Sequence, residues 1–167
     1  MNQPGDGMGL IDGVTFGVFD RQQVADMTGR EMLEAMMAGK LPAPTIGRAL
    51  NFILTEVGDG TAVFEGETNS GIMNPIGTVH GGWVLTMIDS ATACAAQSTL
   101  PAGVSQTTVE TKANMTRPIF VDTGRVRCEG RVISRGNQII TTEATVTDSA
   151  GRILAHGTST VMVLRPR

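Results

Sequence analysis

The chain has 167 residues, 41% hydrophobic and 17% charged, with a net charge of −3; the length suits one well-buried domain and the composition a globular protein. No apolar run reaches the ~18 residues of a membrane span, and the start of the chain lacks the basic cluster and apolar stretch of a secretory signal, so a cytoplasmic location is expected. Two cysteines and two histidines without ligand spacing give no disulfide framework and no metal site, and no metal is expected.

Residues 1–20 are glycine-rich and read as loose chain. From Thr28 a short helix is expected, with Thr28 as N-cap, Glu31 three residues on, and Gly39 as its stop. Leu41-Pro-Ala-Pro44 then breaks the chain, which divides it into an extension over 1–45 and a main domain over 46–167. The extension holds three basic side chains against six acidic ones and would repel a phosphate backbone, so nucleic acid is not expected as a partner.

Two strands follow over 50–57 and 61–68, joined by Gly58-Asp-Gly60, which suits a tight hairpin. Residues 82–97 have no interior Pro or Gly and are apolar on nearly all faces, which predicts one long buried helix. Strands are expected over 107–115, 124–133, 138–147 and 153–164, with Val126, Cys128 and Val132, and Ile140, Thr142, Ala144 and Val146, marking their buried faces. Asp148-Ser-Ala-Gly151 supplies a turn, and the short connections make neighbours antiparallel. One sheet of this size covers such a helix only in part. Its open side should meet a second copy, which predicts a homo-oligomer.

The chemistry concentrates in Asn74-Pro-Ile-Gly-Thr-Val-His-Gly-Gly82 and the helix it opens. Glycines before a helix let the backbone approach a ligand, and the first free N–H groups can form an oxyanion hole; a turn needed only for packing is the plainer reading. Asp89 lies within the apolar helix with no Lys or Arg three or four residues away. Such a carboxylate must be hydrogen-bonded, lining a cavity or capping loop amides. His80 is a base by type, but no Ser or Cys nucleophile lies near it in sequence, and a structural histidine shaping the glycine turn is simpler. Asn74 could orient water or a carbonyl, or form an Asx turn. Residues 111–167 carry nine basic against four acidic side chains, which fits solvated strand faces or a polyanion site.

Asn74, His80-Gly81-Gly82 and Asp89, opening a buried helix followed by four strands, resemble the PaaI-like, phenylacetic acid degradation branch of the hotdog-fold acyl-CoA thioesterases. The resemblance also takes in Gly39 to Pro44, Thr116-Arg-Pro118 and the turn at Asp148. It implies an α+β hotdog fold, an antiparallel β-sheet wrapped around one long central helix, here preceded by a short helical extension. It implies hydrolysis of an acyl-coenzyme A to free acid and coenzyme A, with Asp89 as general base or nucleophile and the Gly81 backbone N–H as oxyanion donor. Asn74 and His80 would complete the loop, and Thr108 would steer the water. Arg117, Ser134, Arg135, Gly136 and Asn137 match regions that contact coenzyme A; Asn137 stands where many relatives have Arg or Lys. Coenzyme A is part of the substrate, and no separate cofactor is implied.

The family also implies a homodimer, further paired as a dimer of dimers (a homotetramer), whose sites combine Asn74, His80 and Gly81 with Asp89 of the partner subunit. Two alternatives differ in class. A non-catalytic acyl-CoA sensor would bring a DNA-binding arm, which the short acidic extension does not resemble. A hotdog enoyl-CoA hydratase would need an Asp and a His paired across a double bond. The acyl group is not legible, Trp83 and Met87 being candidates for pocket or core alike.

Overall fold

Helix α1, Gly29–Met37, starts on a complete capping box: the Thr28 hydroxyl accepts the Glu31 N–H at 3.3 Å while the Glu31 carboxylate accepts the Thr28 N–H at 2.8 Å. A cap of this kind stabilises a helix by ~1 kcal/mol. The buried Leu33 seats α1 on the core, and the Gly29 N–H donates to Leu100 O at 2.9 Å beyond the end of the central helix.

The computed structural model describes residues 9–165. The looseness expected of 1–20 therefore falls partly outside the described residues, and for Thr15 to Gly17 it is corrected. The Ala43 N–H donates to Thr15 O at 2.8 Å and the Gly17 N–H to Ala43 O at 2.9 Å, a bridge that fixes the start of the extension against its end. The Phe16 ring packs over Gly47, where a Cβ would stand 3.3 Å from it.

Instead of leading straight into a strand at Leu50, the segment after Pro44 winds into a short helix α2, Thr45–Leu50. Asn51 ends it in the left-handed region at φ 53°, a conformation that Asn tolerates better than most residues. The strands are β1 Phe52–Gly58, β2 Thr61–Glu67, β3 Ser105–Met115, β4 Arg125–Arg135, β5 Ile139–Asp148 and β6 Ile153–Leu164. They form one antiparallel sheet in the order β1-β2-β4-β5-β6-β3.

The long helix α3, Gly81–Gln97, packs across this sheet, its Trp83, Met87, Ile88, Ala91 and Ala95 buried against Val126, Cys128, Ala144 and Val146. Each large side chain so buried contributes about 1.5–3 kcal/mol. Gly130 on β4 makes the close approach possible, since a Cβ there would stand 2.4 Å from Ala91 O. Trp83 and Met87 belong to this core; the Trp83 indole donates to Leu50 O at 2.7 Å. The turn between β5 and β6 is built on Asp148, whose Oδ1 accepts the N–H groups of Ala150 and Arg152 at 3.0 and 2.9 Å. Among the described residues no helix is long and apolar enough to cross a membrane.

β3 lies at the edge of the sheet. One side pairs with β6, and the other has no strand beside it among the described residues. A long edge strand with exposed apolar residues, here Val109 and Met115, is what natural proteins usually cover or pair.

Candidate active site

Asp89 sits midway along α3, partly exposed, at the meeting of two spaces. On one side is a cavity of about 240 Å³ with apolar walls, to which Asp89 and Ser90 bring the only carboxylate and hydroxyl among the described residues. On the other is an open hollow along the edge strand, lined by Leu85, Thr86, Thr108 and Thr111. The Thr111 hydroxyl donates to Asp89 Oδ1 at 3.1 Å and also meets Ser159 Oγ at 2.9 Å.

A β-bulge produces this arrangement. Thr108 pairs with Val161 and Thr111 with Ser159, and the ladder shifts between Thr108 and Glu110. Val161 and Ser159 are two apart and share the inner face, so Thr108 and Thr111, three apart, do so too. Thr108 thus lines the same hollow as Asp89, while the hydroxyl that touches the carboxylate belongs to Thr111. Sequence reading missed Thr111 because regular alternation places it on the opposite face from Thr108.

The N-terminus of α3 is shaped by His80, its N-cap, whose Nδ1 accepts the Gly82 N–H at 2.9 Å. In the neutral ring the proton is then on Nε2. The Gly81 N–H makes no hydrogen bond among the described residues, as befits the first turn of a helix. It lies at the positive end of the helix dipole. Asn74 organises the preceding loop: its Oδ1 accepts the N–H groups of Ile76 and Thr78 at 3.0 and 3.3 Å, and its Nδ2 donates to Thr78 Oγ1 at 2.6 Å. The Asx turn is therefore present.

Gly81 and Asp89 do not meet within one chain. Eight residues of α-helix at ~1.5 Å each separate them by about 12 Å along the axis, far beyond the span of one carbonyl group. Arg117 and Arg135 are also apart. Arg117 follows the end of β3, whereas Arg135 precedes the β4–β5 turn, which the registers align with the start of β3. Ser134, Gly136 and Asn137 share that exposed turn region with Arg135, and Arg165 donates to Asn137 O at 3.5 Å. Of the basic excess after residue 110, Arg125, Arg127, Arg131 and Arg152 are engaged in ion pairs. Lys112, Arg117, Arg135 and Arg165 have no acidic partner among the described residues.

Cys94, one turn beyond Ser90, also faces the cavity; burial, and then the Asp89 charge, push its thiol up to about 12, so it stays neutral. Cys128 is pushed up by burial as well. Among the described residues no group of His, Cys, Asp and Glu could hold a metal ion.

Residues 76–155 match the family described as Thioesterase superfamily. The six-stranded sheet and central helix that contain that segment form a hotdog fold. A candidate thioesterase of Ralstonia eutropha, a phenylacetic acid degradation-related protein, is 26% identical with a TM-score of 0.71, the match covering 78% of this chain and 98% of that one. The phenylacetic acid degradation protein PaaI of Thermus thermophilus, as a mutant, is 25% identical with a TM-score of 0.64, covering 73% and 99%. A Streptococcus mutans protein solved with acetyl CoA is 24% identical with a TM-score of 0.63, covering 70% and 91%. No curated protein matches in sequence. The protein is a thioester hydrolase with PaaI proteins among its structural neighbours, and its family match begins two residues after Asn74 and spans Gly81, Asp89, Thr108 and Thr111.

Proposed function

We propose that the protein hydrolyses an acyl-coenzyme A to the free acid and coenzyme A, with Asp89 as the catalytic carboxylate. The observation that carries this reading is the position of Asp89, which lines both an apolar cavity and an open hollow supplied with hydroxyls. The acyl group enters the cavity, the thioester carbon stops at Asp89, and the coenzyme A arm leaves along the hollow.

Asp89 takes a proton from a water held by Thr108 and Thr111. The hydroxide adds to the thioester carbonyl, and the charge on the carbonyl oxygen is met by the Gly81 N–H of the partner subunit, a donor commonly worth ~3–4 kcal/mol in such sites. Collapse of the tetrahedral intermediate breaks the C–S bond, and the departing thiolate receives the proton from Asp89. We favour the base over the nucleophile because hydroxyls beside the carboxylate give a water its place. His80 holds the glycine turn and Asn74 the loop before it.

The roughly 12 Å between Gly81 and Asp89 in one chain, together with the unpaired edge of β3, supports a dimer in which each site takes the loop from one subunit and the acid from the other. Antiparallel pairing of two β3 strands also brings Arg117 of one chain toward the Arg135 end of its partner, giving the coenzyme A phosphates two cations. A further pairing of dimers, in the cytoplasm, completes the reading. Its test is release of free thiol from acyl-coenzyme A, measured with a thiol reagent, beside loss of enoyl absorbance. Asp89-dependent thiol release supports a thioesterase; loss of enoyl absorbance without thiol would establish a hydratase instead.

A further inference from the structure

The cavity beside Asp89 has two halves of different origin. Its inner wall comes from the sheet and α3, with Phe52 and Phe64 in edge-to-face contact, their centroids 5.8 Å apart. Its outer wall comes from the N-terminal extension, through Phe16, Met36 and Met37. The Ralstonia eutropha protein is covered over 98% of its length while spanning 78% of this chain, so this chain carries chain length beyond the shared architecture.

We propose that the extension sets the acyl specificity, with Phe16, Met36 and Met37 as specificity-determining residues for an uncharged, apolar acyl group of medium length. This rests on the thioesterase reading above. Three observations carry it. First, the extension is pinned where it meets the cavity, by the bridge between Phe16 and Ala43 and by the packing of Phe16 on Gly47. A wall held in place can measure a substrate. Second, apart from Asp89 and Ser90 at the reacting end, the lining is apolar, and Cys94 stays a neutral thiol. A second carboxylate or a hydroxyl on the acyl group would be buried there without a partner. Third, a cavity of about 150 Å³ takes one benzene ring, so the ~240 Å³ here gives room for about eight to ten carbons, as a straight chain or as a ring with a short linker. Methionine adapts to either shape.

The experiment is a series of straight-chain acyl-coenzyme A esters from two to sixteen carbons, with phenylacetyl-coenzyme A beside them, hydrolysed by the full-length protein, Phe16→Ala and Met37→Ala. Met37 is 41% exposed, so its truncation leaves the core intact even where Phe16→Ala weakens the fold. Expected for the unaltered protein is a kcat/KM that climbs about three- to fourfold per methylene up to eight to ten carbons and then falls. Both variants should shift that maximum toward longer chains by about two to four carbons. A flat profile, or variants that lower every ester by the same factor, would overturn the role of the extension and leave the thioesterase intact. Absence of thiol release from any ester would overturn the thioesterase reading and the cavity's part in it.

Discussion

The Thr111 hydroxyl, on an edge strand, donates to Asp89 Oδ1, on the central helix, at 3.1 Å. Thr111 gives its one hydroxyl proton to that bond, so the buried Ser159, 2.9 Å away, donates to Thr111. The hydroxyl is thereby fixed in direction as well as place. Thr111→Val keeps the shape and removes the donor. It should lower kcat about tenfold with KM little changed, because the substrate's own contacts remain. A rise in KM at constant kcat would assign Thr111 to substrate binding instead.

Asp89→Asn keeps size and packing and removes the base. Turnover should fall by roughly 10²–10⁴ with substrate affinity retained. A single turnover in ¹⁸O-labelled water separates base from nucleophile: with Asp89 as base the label enters the product acid at once, whereas an anhydride intermediate can leave it on Asp89.

How far the sequence revealed these features follows from the kind of signal each one leaves. The capping box at Thr28, the helix from Gly81 to Gln97 and the turn on Asp148 are local patterns, and each forms where its residues imply. Helix α2 escaped because Pro44 gives no side-chain cap and Gly47 reads as a breaker; it exists through Asn51 in the left-handed region and the packing of Phe16 on Gly47. Thr111 escaped because a bulge shifts the face of a strand without any marker in the residues themselves. The cavity wall escaped for a third reason. Phe16 and Asp89 are distant in the chain, and methionines in a short amphipathic helix read as packing.

The exposed cations divide by partner. Arg135 has no acidic partner among the described residues, unlike Arg131, which pairs with Glu143. Arg135→Ala should raise KM for full coenzyme A esters about three- to tenfold and leave short thioesters that lack the nucleotide unaffected, since its proposed contact is phosphate. Arg131→Ala serves as the control. Equal losses on both substrate types would make Arg135 a structural residue.

The Asp148 carboxyl is held below its ordinary 3.8, foremost by the Arg152 backbone N–H and then by the Arg152 guanidinium and the Ala150 N–H, which outweigh the opposing effect of burial. A group depressed on folding adds stability that is complete above its unfolded pKa and disappears as pH falls through the folded one. The difference in Tm between the protein and Asp148→Asn should therefore be constant above about pH 5 and narrow as pH falls below 3.8. A difference that persists unchanged at pH 3 would show that the turn depends on shape and not on charge.

The shared site can be tested with two inactive proteins. Gly81 occupies the first position of α3, and His80 before it is extended at φ −65°, ψ 133°, a conformation that a following proline favours. Gly81→Pro should therefore delete the N–H while keeping the helix, the added ring displacing only the end of Met115, 3.2 Å from a Cβ built there. Alone it should cost about 10²–10³ in kcat, the effect of losing one oxyanion donor. Unfolded together with an equal amount of Asp89→Asn and refolded, about half the dimers should be mixed if pairing is random. In each mixed dimer one site receives both defects and the other receives none, so about a quarter of the unaltered activity should return. Neither variant refolded alone should regain it. If mixed dimers form, shown by differently tagged chains that copurify, and activity stays at the level of the parents, then donor and acid serve the same chain and the site is not shared.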